Sequence, residues 1–150
     1  MYRVRPGLSI DSHPLDLTHV RAYARHGVTL VVSALTDQEN AELDLRAEGD
    51  TARSAGMRFR SVPIPDYGVP GEEPALDDVA REVEDGHVLI HCWGGVGRSS
   101  LLAAAVLVHL GVQPVDAWRE IAAARGRDVP ENDAQREWVD RFHRARRVGR

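Results

Sequence analysis

One hundred and fifty residues, 43% of them hydrophobic and 28% charged, fit one domain spanning 1–150 that buries a core without disulfides or metal. The formal net charge of −4 argues against broad electrostatic binding to nucleic acid or to an acidic membrane, so neither is expected as a partner. A single cysteine, Cys92, rules out an internal disulfide, a multi-cysteine zinc site and a Cys-x-x-Cys redox pair, and the 19 basic residues are all arginine, which excludes a Walker-type lysine, a Schiff-base lysine and a Ser-Lys pair.

From the N-terminus, Met1–Gly7 lacks the apolar stretch of a secretory signal, and the longest apolar run, Leu101 to Val108, is far short of a bilayer span. A cytoplasmic protein is expected. Leu8–Ile10 reads as a first short strand. Asp16–His26 is a helix, with Leu17, Val20 and Tyr23 at helical spacing and Gly27 as its stop. Val28–Val32 is a β-branched run of the kind buried on both faces. Asp37–Ala55 reads as helical, with Gly49 as a break and Gly56 as the stop. Met57–Ile64 is the next strand, followed by an irregular loop over Pro63–Gly71, where prolines withhold backbone donors.

Pro74–Glu84 is a helix and His87–His91 a short buried strand. Gly94–Gly97 is a tight loop, and Arg98–Leu110 a strongly apolar helix closed by Gly111. Helices over Pro114–Arg125 and Glu131–Arg146 complete the chain, each with a proline near its start. Alternating strands and helices predict an α/β fold, a central mostly parallel sheet flanked by helices. Ligands of such sheets bind at the carboxyl ends of the strands, which is where Cys92 falls.

The stretch His91-Cys92-Trp93-Gly94-Gly95-Val96-Gly97-Arg98-Ser99 carries the chemistry. Three glycines let the loop curl so that successive N–H groups converge on one anion. The following helix offers its positive end to the same point. Arg98 can hold two phosphate oxygens through a planar fork, and the same positive field favours the thiolate of Cys92, the form that attacks phosphorus. An inert buried thiol is the alternative for a lone cysteine, and it leaves the glycines and Arg98 unexplained.

This stretch resembles the His-Cys-x5-Arg-Ser/Thr motif of the protein tyrosine phosphatase superfamily. Within it the chain is most similar to the small dual-specificity phosphatases, especially the cyclin-dependent-kinase-inhibitor-associated phosphatase group, over about Gly7 to Phe142. The resemblance implies a metal-independent phosphomonoester hydrolase without cofactor, acting on a phosphoprotein or phosphopeptide through a phosphocysteine, with inorganic phosphate or another oxyanion able to sit in the loop. It implies catalytic roles for Cys92, Arg98, Asp66 and Ser99. Asp66, on the Pro63–Asp66 segment, is the implied general acid, and Ser99 the donor that eases departure of the sulfur. Trp93, Gly94, Gly95, Val96, Gly97 and Arg98 line the substrate site, Gln135 matches a glutamine that positions water, and His91 orders the loop. A turn aspartate, a helix-cap serine and a surface glutamine are the bland alternatives for Asp66, Ser99 and Gln135.

Asp77, Asp78 and Asp85 fall in or at the end of a helix and are weaker candidates for the acid. Trp93 and Tyr67 are each either a pocket wall or core packing. The other histidines show no metal-ligand spacing, and Arg141, Arg144, Arg146, Arg147 and Arg150 read as a solvated helix end. Three other functions remain. A rhodanese-type sulfurtransferase has a shorter loop and no need of Asp66. A non-catalytic phosphopeptide-binding module would not retain both nucleophile and acid. A phosphatase for a phosphoinositide or RNA 5′-phosphate shares the chemistry, although such lipid enzymes tend to carry basic residues where Trp93 and Val96 stand.

Overall fold

A computed structural model of the chain describes residues 1–148; of the basic tail, Arg150 lies outside the described residues. Twelve elements follow one another: β1 Tyr2–Arg5, β2 Leu8–Asp11, α1 Leu17–Arg25, β3 Leu30–Ser33, α2 Asp37–Glu42, α3 Glu48–Ser54, β4 Arg58–Ser61, α4 Asp77–Asp85, β5 Val88–His91, α5 Arg98–His109, α6 Pro114–Arg125 and α7 Asp133–Val148. The strands form one sheet in the order β1-β2-β5-β3-β4. Only the β1–β2 pair is antiparallel. The other three pairings are parallel, so the sheet is mostly parallel as the alternation of elements predicts.

Period-two alternation of side chains divides the interior into two clusters. Leu8, Ile10, Leu30, Val32, Val88 and Ile90 face the side covered by α4, α5, α6 and α7. Val31 and Leu89 face the other, against Val20 and Tyr23 of α1 and Ala52 of α3. β5 lies mid-sheet and is buried along its whole length, and α5 behind it is buried from Arg98 to Val108. The strand and helix that flank the phosphate-type loop are therefore both enclosed, which fixes both ends of the loop.

Four expectations need correction. β1 was not anticipated: Tyr2 and Val4 alternate over only four residues, and the strand is held by tertiary contacts, with the Arg5 fork on Glu120 of α6 at 2.7 Å and Arg125 over the Tyr2 ring at 4.2 Å. The expected helix over Asp37–Ala55 is two helices, and the break is not at Gly49, which lies inside α3. The chain turns at Asp44 (φ 58°), and this turn delivers Leu45 to the core at 1% exposure. α2 starts where it does because Thr36 and Glu39 make a reciprocal capping box. The strand over Met57–Ile64 shortens to β4, although Val62 N–H and Ile64 N–H still donate to Ser33 O (2.8 Å) and Ala34 O (3.0 Å); Pro63 and Pro65 have no N–H to continue the ladder. α4 begins at Asp77 rather than Pro74, with Asp77 and Asp78 in its first turn where the helix dipole favours them.

Candidate active site

β5 ends at His91, and the chain then curls through Cys92–Gly97 into α5. The loop's carbonyls are pulled outward. Trp93 O accepts from His13 N–H at 3.1 Å, and Gly95 O and Gly94 O accept from the Arg125 guanidinium at 3.1 and 3.4 Å. Carbonyls facing out leave amides free to face in, which is the arrangement of an anion nest. Gly97 is the N-cap of α5 and has no side chain of its own to cap it; the Glu131 carboxylate stands against it.

Cys92 sits 2% exposed at the base of this curl. Its Sγ accepts the Gly95 N–H at 3.3 Å and lies 3.3 Å from the Ser99 hydroxyl. Ser99 reaches the sulfur from the first turn of α5. The Gly95 turn has φ +71°, and a β-carbon there would come within 2.8 Å of Asp11 C and Ser12 N. Gly95→Ala is therefore expected to reshape the nest. Activity should fall by about 10²-fold or more, with phosphate no longer raising Tm; unchanged phosphate binding would contradict the role given to this turn.

Arg98 is 1% exposed, and both of its Nη groups have partners. Nη1 donates to Glu39 Oε1 at 2.6 Å and Ile64 O at 2.9 Å, while Nη2 donates to Glu39 Oε2 at 2.9 Å and lies 3.4 Å from Asp66 Oδ1. Burial opposes its charge, but the Glu39 hydrogen bond and the nearby Cys92 and Asp66 outweigh this, so the guanidinium holds its proton more firmly than usual. Burial likewise pushes Glu39 up, and hydrogen bonds from Arg98 and the Thr36 amide overcome it, leaving its carboxyl below the ordinary range.

A carboxyl more acidic in the folded state contributes stability above its unfolded pKa and loses it as pH falls through the folded value. The urea midpoint is thus expected to drop from about pH 5 to about pH 3, with a flatter drop in Glu39→Gln. Parallel slopes would remove Glu39 from this account.

Asp66 stands on the loop after β4, with 56% of its side chain exposed, and its Oδ1 accepts the Tyr67 N–H at 3.1 Å. Tyr67 itself has φ 60°. Two side chains of the α7 entrance hold this loop: Asn132 Nδ2 donates to Tyr67 O at 2.9 Å and Gln135 Nε2 to Gly68 O at 3.1 Å. Gln135 is fully buried, and its Oε1 accepts the Glu131 N–H at 3.0 Å. Its Nε2 also stands 3.0 Å from where a β-carbon on Gly97 would be, so Gln135 lies between the acid-bearing loop and the cysteine loop.

His91 is also fully buried, and its Nε2 lies 2.6 Å from Glu48 Oε2 of α3, pointing away from the loop mouth. Asp78 pairs with Arg60 at 2.6 Å and Asp77 with His109 at 3.2 Å, both away from Cys92.

Above the loop opens a cleft of about 680 Å³ lined by Asp66, Tyr67, Trp93, Gly94 and Val96, with Gln38, Glu39, Glu42, Arg127 and Glu131 around them. Trp93 is 38% exposed and meets His13 edge-on at 5.4 Å, so it is a cleft wall with one edge supported. Sequence reasoning missed Glu39, Glu48, Arg125, Arg127, Glu131 and Asn132. Of these only Glu39 left a trace, the Thr36-x-x-Glu39 capping pattern. Among the described residues no group of three or more His, Cys, Asp or Glu could hold a metal ion, and no helix is long and apolar enough to cross a membrane.

Comparison with known proteins agrees with this geometry. The PTP-SAK family model, a Swiss Army Knife protein DSP-PTPase phosphatase domain, matches residues 4–146. Cyclin-dependent kinase inhibitor 3 of Sus scrofa is 33% identical over 100 residues, 62% of this chain and 47% of its own length. The protein of the same name from Rattus norvegicus is 31% identical over 99 residues, with the same shares. The chain thus spans about half the length of the curated relatives it matches.

Among solved structures, kinase associated phosphatase with its catalytic-site cysteine changed to serine shares the fold with a TM-score of 0.80 at 21% identity, over 92% of this chain and 86% of that one. Human DUSP28 gives 0.74 at 23% over the full length of both, and PTPMT1 in complex with PI(5)P gives 0.75 at 20% over 95% and 94%. A family match from Val4 to Arg146 takes in four complete strands of the sheet and the loop around the only cysteine: the chain belongs to the DSP-PTPase family of cysteine-dependent, dual-specificity phosphatases.

Proposed function

We propose that residues 1–150 act as a single catalytic domain that hydrolyses phosphomonoesters on proteins, phosphotyrosine and also phosphoserine or phosphothreonine, through a phosphocysteine on Cys92. The observation that carries this reading is the sulfur's setting: Sγ lies at the base of the amide nest, against the Gly95 N–H and the Ser99 hydroxyl. In the proposed reaction the loop amides and Arg98 hold the phosphoryl oxygens. Cys92 attacks in line, and Asp66 protonates the leaving oxygen. Water then releases phosphate from sulfur, Asp66 takes the water's proton, and Ser99 steadies the returning thiolate. Gln135 acts on this step by bracing the loop that carries Asp66. His91 supports the loop from the far side, and Trp93 and Tyr67 flank the incoming side chain.

The preference for a protein over a lipid rests on the charge around the cleft. Glu39, Glu42, Asp66 and Glu131 line it against Arg127, with Arg98 engaged beneath. A headgroup bearing several phosphates meets that acidic rim, whereas a single phosphorylated side chain need only reach the nest. PTPMT1, bound to PI(5)P on the same fold, makes the contrast worth measuring. A working place in the reducing cytoplasm suits a site that depends on one unpaired thiolate.

The test is turnover of para-nitrophenyl phosphate in the presence of a chelator, then of phosphopeptides and of a phosphoinositide in vesicles. Chelator-insensitive turnover, faster on phosphopeptides, is expected. Faster turnover of the phosphoinositide would overturn the substrate class, and no turnover of any ester with phosphate still bound would overturn the reaction.

A further inference from the structure

The mouth of the loop carries a carboxyl that the reaction above does not use. Glu131 precedes α7 and faces Gly97 so closely that a β-carbon on Gly97 would collide with its Oε1. Its backbone is pinned by the buried Gln135 at 3.0 Å, and its side chain lines the same cleft as Asp66. The Gly97 amide, one of the groups in the nest, lies beside that carboxylate and favours its charged form.

We propose that Glu131 is a second acid–base catalyst of this site, sharing with Asp66 the proton that passes to the leaving oxygen and returns from the hydrolytic water. The inference rests on the phosphatase reading and adds a residue to it. In the first step the sulfur–phosphorus bond forms as the phosphorus–oxygen bond breaks. The electron pair goes to the leaving oxygen, which takes the proton from the carboxyl pair. In the second step water oxygen bonds to phosphorus, the pair returns to sulfur, and the water's proton goes back to the carboxyl pair. Ester and water become alcohol and phosphate, with nothing left over.

The charges around Glu131 suit this task. Burial raises its hold on a proton, and the negative charge of Asp66 on the neighbouring loop raises it further. Arg98 of α5, Arg127 of the α6–α7 connection and the Gly97 N–H oppose this, and the balance leaves Glu131 above the ordinary glutamate range. A carboxyl that holds its proton more firmly than usual is a better-matched donor to a leaving alkoxide or phenoxide.

The experiment compares Asp66→Asn, Glu131→Gln and the double variant from about pH 4.5 to about pH 8, on phenyl phosphate, a poor leaving group, and para-nitrophenyl phosphate, a good one. Glu131→Gln is expected to lower kcat on phenyl phosphate by about tenfold or more, and much less on the nitrophenyl ester. Asp66→Asn is expected to keep an alkaline limb, moved to lower pH because the charge that raises Glu131 is gone, and the double variant to lose that limb. The proposal falls if Glu131→Gln stays within about twofold of wild type on both esters while Asp66→Asn alone flattens the limb. Equal losses on both esters with an unmoved pH profile would also sink it, since that marks a prop of the loop. Vanadate binding is measured on each variant, and Glu131→Asp replaces Glu131→Gln should the latter fail to bind. Wild-type protein that binds vanadate and hydrolyses neither ester would instead defeat the phosphatase reading itself.

Discussion

Cys92→Ser is expected to lose turnover by on the order of 10⁴–10⁶-fold in kcat, while the fold and oxyanion binding persist. Serine is close enough in shape to keep the contacts made by Gly95 N–H and Ser99 Oγ, each 3.3 Å from the sulfur. What it cannot do is ionise near neutral pH, and no other cysteine exists to take over. Rates on an aryl phosphate, with the phosphate-induced rise in Tm measured alongside, separate the two effects. A serine variant with a tenth of wild-type activity would show that the loop activates water directly and that the sulfur is incidental.

Arg98→Lys is the second large effect: kcat/KM should fall by about 10²–10³-fold although the charge is kept. The guanidinium spreads its donors over both Glu39 oxygens and Ile64 O, at 2.6, 2.9 and 2.9 Å, with Asp66 near by. One ammonium cannot reproduce that spread, and a side chain 1% exposed has no water to complete the set. Unmet buried partners cost about 1–3 kcal/mol, so the urea midpoint should fall together with activity. Equal activity for lysine would mean that the site needs only a charge, and the argument from the planar fork would fail.

The fold was legible where burial is continuous. Val28–Val32 and His87–His91 are largely apolar runs that tertiary structure had no reason to override; the first overlaps β3, shifted to Leu30–Ser33, and the second contains β5. It was illegible where long-range contacts decide. β1 exists because α6 presents Glu120 to Arg5 and Arg125 to Tyr2, and no local pattern in four residues announces that. Asp44 breaks the helix because a left-handed residue there buries Leu45, and the propensity of the segment says the opposite.

The candidate site divides in the same way. Cys92, Arg98 and Ser99 lie within eight consecutive residues, so their spacing alone brings them together. Glu39, Glu131 and Asn132 reach the loop across 59, 34 and 65 residues, to Arg98, Gly97 and Tyr67, and only folding makes them neighbours. Gln135 was visible as a candidate, but its hydrogen bond to Gly68 O, 67 residues away, was not.

The most direct test of the account is to quench the reaction with acid during the first turnover and look for a phosphoryl group on the peptide that contains Cys92. The account predicts its transient appearance in the wild-type protein, longer persistence when Asp66 and Glu131 are both neutralised, and absence in Cys92→Ser. Normal turnover with no phosphoryl group ever bound to sulfur would contradict it.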